Sequence, residues 1–260
     1  MSRRQRAKMI RGVVYVLTLA ALIGVWYSIN WAVFAQALFN WDVAKDLFPL
    51  ILTQAARNTL IFTAFGFSGG LILALIIALM RISVIKAYRW FASIYIEIFR
   101  GLPALLTILL IGQGIPVATG FRLPGTYTNG SFALAIVAAA YMAETIRAGI
   151  EAVPRGQMEA ARSLGMPYAT AMSTIVIPQA FRIIIPPMTN QLVALLKDTS
   201  LISVLGVTAA TKELTRFGRD HVIITANATP FIVAGLVYLA MTIPMTRAVA
   251  VLEKRVARAR

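Results

Sequence analysis

The chain contains no cysteine and a single histidine, His221. Without thiols there is no disulfide, no thiolate metal site and no cysteine nucleophile, and one histidine without Cys or His neighbours does not make a metal site. Acidic residues are also few, 10 against 25 Lys and Arg, and those inside apolar runs form no recognisable acid–base pair. There is no Gly-x-x-x-x-Gly-Lys-Ser/Thr phosphate loop, no Gly-x-Ser-x-Gly elbow and no His-Glu-x-x-His helix. The chain therefore carries no recognisable machinery for nucleotide hydrolysis, hydrolase chemistry or metal catalysis, and it requires no cofactor of its own.

Long polar stretches are missing as well. The 260 residues are 59% hydrophobic and 13% charged, with a mean hydropathy of +0.77. That excludes a water-soluble core and predicts an all-α polytopic membrane protein. A bilayer core ~30 Å thick needs about 20 mostly apolar residues per helix. The runs 12–29, 58–80, 101–121, 131–150, 183–211 and 222–246 meet that length, the fifth interrupted by charges, so six transmembrane helices are predicted. No repeat, low-complexity tract or appended soluble domain stands out.

A formal charge of +15 raises the question of nucleic acid, but the basic residues lie in short clusters beside apolar runs, which membrane topology explains and nucleic-acid binding does not. Arg3, Arg4, Arg6, Lys8 and Arg11 precede the first run, and Arg81, Lys86, Arg89 and Arg100 lie between the second and third. Arg147, Arg155, Arg162 and Arg182 flank the polar loop after the fourth, and Arg247, Lys254, Arg255, Arg258 and Arg260 follow the sixth. The other side holds only Lys45, Arg57, Arg122, Lys212, Arg216 and Arg219. The positive-inside rule then predicts cytoplasmic termini and a cytoplasmic polar loop, with outer loops near 30–57, 119–130 and 212–221. The first run, followed by Ala35-Gln36-Ala37, is longer than a signal-peptide core and reads as a retained anchor. Trp26, Tyr27, Trp31 and Trp41 read as an interfacial aromatic belt on its outer side.

The polar loop is punctuated by Pro154, Gly156, Gly165 and Pro167. Pro154 suits a helix start, 157–164 holds good helix formers, Gly165 suits a helix end and Pro167 opens a second helix. Two short helices with a sharp bend are predicted. On residues alone this is either an ordinary solvated connection or a rigid knob built to dock in a groove of another protein, presenting Glu159 and Arg162 with Met158, Ala161 and Leu164 around them. The frame Glu159-Ala160-Ala161, three residues, Gly165, nine residues, then Ile175-Val176-Ile177-Pro178 resembles the coupling loop of bacterial ABC importer permeases, with Ile177 where Leu is usual. The resemblance implies that Glu159, Ala160, Ala161, Arg162 and Gly165 couple the chain to an ATPase.

A second motif, Glu97-Ile-Phe-Arg100-Gly101-Leu102-Pro103, lies at the entry to the third run. Arg100 can snorkel, and Gly101 with Pro103 permits a bend into the bilayer. Glu97, Arg100, Gly101 and Pro103, taken with the loop, look like the permeases for polar amino acids in particular. The resemblance covers roughly 50–255 and implies a five-helix type I importer core with the coupling loop at 151–182. Residues 1–49 would add a cytoplasmic N-terminus, a first helix and an outer loop, and 256–260 a basic tail. It further implies two ATP-binding cassette ATPase subunits that bind the ATP and Mg, a second permease subunit, an extracytoplasmic binding protein, and a place in the bacterial cytoplasmic membrane. The chain itself would not be an enzyme.

Intramembrane polar residues come last. Glu144 lies near the inner end of the fourth run, and Lys197-Asp198-Thr199-Ser200 interrupts the fifth. Charges there are costly and face a protein interior or a watery cavity. One reading is a structural ion pair, Lys197 with Asp198 or Glu144. The other is a substrate path: the resemblance places the segment ending in Lys-Asp-Thr-Ser-Leu beside the translocation route, giving Asn190, Lys197, Asp198, Thr199 and Ser200 a pathway role. A glutamine- or glutamate-like substrate is favoured by the same resemblance, carried by the Glu97–Pro103 motif and the Lys-Asp-Thr-Ser segment, while the charges alone, Lys197 for a carboxylate and Glu144 or Asp198 for an α-ammonium, suit any amino acid. An ion-coupled secondary carrier and a non-transport scaffold are the rival classes. Gly66-x-x-x-Gly70 predicts a close helix pair, Pro186-Pro187 predicts a kink, and His221 reads as a loop residue.

Overall fold

The computed structural model describes residues 3–258 apart from positions 122, 126 and 207, with side chains as far as Lys254. Arg122, the side chains of Arg255 and Arg258, Arg260 and most of the 256–260 tail lie outside the described residues. Among the described residues every regular element is helical. The order is α1 (Arg3–Ser28), α2 (Trp31–Leu38), α3 (Trp41–Asp46), α4 (Arg57–Ile82), α5 (Lys86–Gly101), α6 (Ala104–Leu109), α7 (Ile115–Thr119), α8 (Thr128–Glu151), α9 (Arg155–Ser163), α10 (Tyr168–Ala171), α11 (Ile177–Asp198), α12 (Leu214–Thr225) and α13 (Thr229–Arg258). Single π-turns at Ile51–Ala56, Leu110–Gly114 and Met172–Val176 lead into α4, α7 and α11.

Among the described residues, five helical stretches are long and apolar enough to cross a bilayer: Arg3–Ser28, Ile51–Ile82, Thr128–Glu151, Tyr168–Val204 and Thr229–Lys254. A sixth comes from the broken pair Lys86–Gly101 and Ala104–Thr119, which meet at 109°. The third predicted run is thus not a straight span. Its helical part, 104–119, reaches only about 24 Å at 1.5 Å per residue, and α5 lies across it as an amphipathic helix that buries Ala92 and Ile96 and keeps Lys86, Tyr88 and Arg100 exposed.

The core is built on α4 against α8. Alanines at 133, 135, 138, 139, 140 and 143 make α8 a strong helix former with almost no side-chain bulk. Opposite them, a Cβ added to Gly70 would lie 3.2 Å from the Ala135 carbonyl oxygen and 3.3 Å from the Ala138 Cβ. One on Gly66 would lie 3.2 Å from the Leu134 Cβ. The Gly-x-x-x-Gly pair therefore sets the approach of the two helices, as predicted. Helix α11 closes against α8 through Gly149, whose missing Cβ leaves room for Ile184. It runs unbroken through Pro186 and Pro187, with the Thr189 hydroxyl hydrogen-bonded to the Ile185 and Pro186 carbonyls at 3.2 and 2.7 Å.

The outer connections differ most from the sequence reading. Residues 30–57 are a helical strap, α2 and α3, tied to the start of α13: the Asn227 side chain donates to Gln36 O, Ala228 N to Ala37 O and Asn40 N to Thr229 Oγ1. The predicted loop 212–221 is helix α12, so His221 is helical, with Nδ1 2.8 Å from Phe217 O. The predicted last run, 222–246, is cut at Ala226, which adopts φ 47° and separates α12 from α13. Between α11 and α12 the described backbone makes two short 3₁₀ turns, Thr199–Val204 and Ala209–Thr211, and side-chain amides hold carbonyls there: Gln113 on Val204 O, Gln54 on Ala209 O, and Asn58 on Ala210 O and Lys212 O. Helix α1 buries no residue.

Candidate functional site

Helix α8 ends at Glu151, and Pro154, with its fixed φ and no N–H, opens α9. Its C-terminus is closed by Gly165 at φ +81°: Met166 N donates to Ala161 O at 3.1 Å and Gly165 N to Arg162 O at 3.0 Å, a Schellman motif that only a residue tolerant of the left-handed region completes without strain. The Arg162 guanidinium bonds Met166 O at 2.8 Å and stiffens the turn. Beneath the knob, Val153, Val176 and Ala180 form a small apolar cluster with Met158 and Met172 packed on it. Glu159, Ala160, Arg162 and Gly165 stand on the exposed surface with Leu164, which is 85% exposed. Ala161 does not belong to that surface. At 2% exposure it is inside the turn, because α9 rests on the Met172–Val176 segment. The second short helix is also not a separate element, since Pro167 begins a helical stretch continuous from Tyr168 to Val204.

The entry motif forms the corner between α5 and α6. Glu97, Arg100, Gly101 and Pro103 are exposed there, and the Arg100 guanidinium sits 5.6 Å from the centre of the Tyr141 ring. On the inner side of that corner lies a cavity of about 250 Å³ lined by Ala104 and Ile108 of α6, Leu134, Val137, Ala138 and Tyr141 of α8, Gln191, Ala194, Leu195 and Asp198 of α11, and Leu201. Its polar groups are a phenol, an amide and one carboxylate in otherwise apolar walls, the pattern of a small-solute site.

Helical geometry sorts the predicted pathway residues. Gln191, Ala194, Leu195 and Asp198 follow the i, i+3, i+4, i+7 pattern and share the cavity face. Asn190 and Lys197, one residue earlier in each case, sit about 100° around the helix. Asn190 is exposed and donates to Glu253 Oε1 of α13 at 3.1 Å, and Lys197 is exposed outside the cavity lining. No ion pair joins Lys197 to Asp198 or Glu144 among the described residues. Glu144 is held on its own helix by Arg147, whose Nε donates to Oε2 at 3.0 Å and which also reaches Glu151. Thr199 is fully buried, its hydroxyl donating to Leu196 O at 2.7 Å, and Ser200 is half-buried. Sequence reasoning missed Tyr141 and Gln191. The seven-residue spacing from Gln191 to Asp198 was the signal for the second.

A further buried acid lies outside the spans. Glu213 is 0% exposed and caps α12, accepting from Thr215 N at 2.7 Å and Arg216 N at 2.6 Å. Burial pushes its carboxyl up to about 7, against the opposing pull of those N–H donors and of Tyr238 and Thr215. On the same helix Asp220 is paired with Lys212 and Arg216. Partial burial acts to raise its carboxyl, yet the two cations hold it below its ordinary value.

The chain matches, over residues 70–258, the profile of the family described as binding-protein-dependent transport system inner membrane component. It is 38% identical over 219 residues to the probable glutamine ABC transporter permease protein GlnM of Bacillus subtilis, covering 83% of this chain and 97% of that protein. It is 35% identical over 178 residues to the arginine transport system permease protein ArtQ of the same organism, covering 68% and 79%. Among solved structures, an amino acid ABC transporter crystallised with histidines superposes with a TM-score of 0.73 at 40% identity, covering 80% of this chain and 94% of that one. By the family match over residues 70–258 and the identity to amino-acid permeases over most of its length, the chain belongs to the binding-protein-dependent transport system inner membrane components, and among them to the polar amino-acid ABC importer permeases.

Proposed function

We propose that this chain lines the path of an importer for a neutral or cationic polar amino acid, glutamine-like in the first instance, and that the cavity beside Asp198 holds the solute in transit. The observation that carries the reading is the composition of that cavity: one carboxylate, Asp198, with Tyr141 and Gln191, and no cation. The carboxylate pairs an α-ammonium, and the amide and phenol satisfy a side-chain amide or carboxylate without a full opposing charge. A second acid on the substrate would meet Asp198 with no cation in the cavity lining to offset it, so glutamate is the poorer fit. The names of the relatives, glutamine and arginine permeases, agree with that order.

The rest of the cycle is assigned to partners. Two ATPase subunits bind ATP and Mg and grip the knob around Glu159, Ala160, Arg162 and Leu164 on the cytoplasmic side, where both termini also lie. A second permease subunit completes the path, and an extracytoplasmic binding protein delivers the solute. Residues 50–255 form the transporting core, preceded by the 1–49 anchor and followed by the 256–260 tail. Closure of the ATPases moves the knob, and the rigid turn at Gly165 passes that motion into the helix that runs on to Asp198.

The test is uptake by the purified complex, reconstituted with its co-purifying ATPase and binding protein. Glutamine and arginine uptake should require ATP and survive ionophores. Asp198→Asn should raise the solute KM by about tenfold or more, as expected for loss of a charge-assisted contact, while binding-protein affinity stays unchanged. Uptake that persists without ATP and collapses with the ion gradient would make the chain a secondary carrier.

A further inference from the structure

A buried carboxylate needs a reason, and capping is not enough for Glu213. Serine, threonine or aspartate are the common helix caps, and an acid without a cation pays for its desolvation. The neighbouring cations are engaged elsewhere: Lys212 with Asp220, and Arg216 with Asp220 and, through Nη1, with Ser203 O at 3.1 Å. From α4 the contact is a hydroxyl, Thr59 Oγ1 accepting from Leu214 N at 3.1 Å, while Arg57 is exposed. From α13 it is Tyr238, whose hydroxyl donates to Glu213 Oε2 at 3.0 Å. On α11, Lys197 is exposed and Asp198 faces the cavity.

Tyr238 is the junction. Its oxygen lies 3.3 Å from Thr215 Oγ1 and 3.4 Å from Thr199 Oγ1. Thr199 follows Asp198 directly and begins the 3₁₀ turn Thr199–Val204 that ends the α11 span. We propose that Glu213 and Tyr238 are positioning residues for solute transport: they form a hydrogen-bond relay that sets the Thr199 turn, and with it the Asp198 carboxylate, according to whether Glu213 carries a proton.

The proton count shows how. When Glu213 is ionised, the one proton of Tyr238 goes to the carboxylate, and the Thr199 hydroxyl is left with its bond to Leu196 O. When Glu213 is protonated, it donates to the Tyr238 oxygen and still accepts from both backbone N–H groups through its lone pairs. Tyr238 then turns its proton toward the two threonine hydroxyls in reach, Thr215 at 3.3 Å and Thr199 at 3.4 Å, and while it is on Thr199 that hydroxyl is held from both sides. Burial brings this change of state to about pH 7, so the turn is pinned on the acid side of neutrality and released on the alkaline side.

The inference rests on the reading that Asp198 lines the solute path. Uptake by the reconstituted complex is measured across about pH 5.5 to 8 on the binding-protein side. Wild type should show a lower KM for glutamine at the acid end. Tyr238→Phe keeps the α12 cap and deletes only the relay. It should raise the acid-side KM about three- to tenfold, the size of one hydrogen bond, and flatten the pH dependence with little change in maximal rate. Glu213→Gln should flatten the same profile by fixing a donor against Tyr238, and if it fails to assemble, Tyr238→Phe alone carries the test. A merely structural role would lower yield and maximal rate while leaving KM and its pH profile intact, and that result in Tyr238→Phe overturns the proposal. If Asp198→Asn transports like wild type, the path reading itself fails; if Asp198→Asn is impaired and Tyr238→Phe is not, only the relay fails.

Discussion

Single residues decide whether the knob is rigid. Gly165 and Gly156 both have open space where a Cβ would go, but only Gly165 lies in the left-handed region, at φ +81°. Its replacement is therefore a backbone question and not a packing one. Gly165→Ala should cost about 1 kcal/mol locally, loosen the bond from Met166 N to Ala161 O, and reduce solute-stimulated ATP hydrolysis in the reconstituted complex. Gly156→Ala should leave both membrane insertion and stimulation at wild-type levels, and equal loss in the two variants would remove the left-handed turn from the coupling argument. Asp198 makes a similar point about register: it and Lys197 are neighbours in sequence, yet 100° of helical rotation puts one on the cavity and the other outside it. A charged tetrapeptide read as a unit hides that difference.

At the level of elements, the sequence was legible wherever hydropathy alone fixes the answer. The second and fourth runs became α4 and α8 with small shifts at their ends, the first became α1 with its start moved back from residue 12 to Arg3, and the small-residue seam between α4 and α8 followed from Gly66 and Gly70. Amphipathic helices were not legible. α2, α3, α5 and α12 are 8, 6, 16 and 12 residues long, too short to cross a bilayer by themselves, so they read as connections, and the 109° corner at Gly101–Pro103 read as a mere entry bend. The cavity needs three helices and that corner at once, so only its α11 face, through Asp198, could be anticipated. The α4–α8 seam offers a sharp test: Gly70→Val places methyl groups against the Ala135 carbonyl and the Ala138 Cβ. We expect a loss of about 1–3 kcal/mol from overpacking, seen as a lower melting temperature of the purified permease, whereas Gly235→Val on α13, which meets nothing within 4 Å, should melt like wild type.

For the whole molecule, α4 and α8 run side by side in the same direction, Gly66 against Leu134 and Gly70 against Ala138. The knob after α8 and the connection after α4 share one end, while the α12–α13 turn and the strap 31–46 share the other through Asn227, Ala228 and Asn40. Because the chain has no cysteine, a single introduced thiol reports its side directly. A cysteine at exposed Thr225 should react with an impermeant maleimide added to intact cells, and one at exposed Ser163 should react only after the membrane is opened. The opposite pattern would invert the orientation drawn from the positive-inside rule.

Helix α1 has 26 residues and buries none of them, which gives it a different relation to mutation from any other span. In α8 the alanines at 133, 135, 138, 139, 140 and 143 are buried, so substitution there is limited by volume. Along the apolar stretch of α1 before Trp26, which packs on Trp31, the main constraints are length and oiliness, and these belong to the helix as a sum more than to any one position. Its sequence is therefore free to drift among leucine, valine, isoleucine and alanine while the core stays fixed, and the order of residues within it carries little information about what the protein moves.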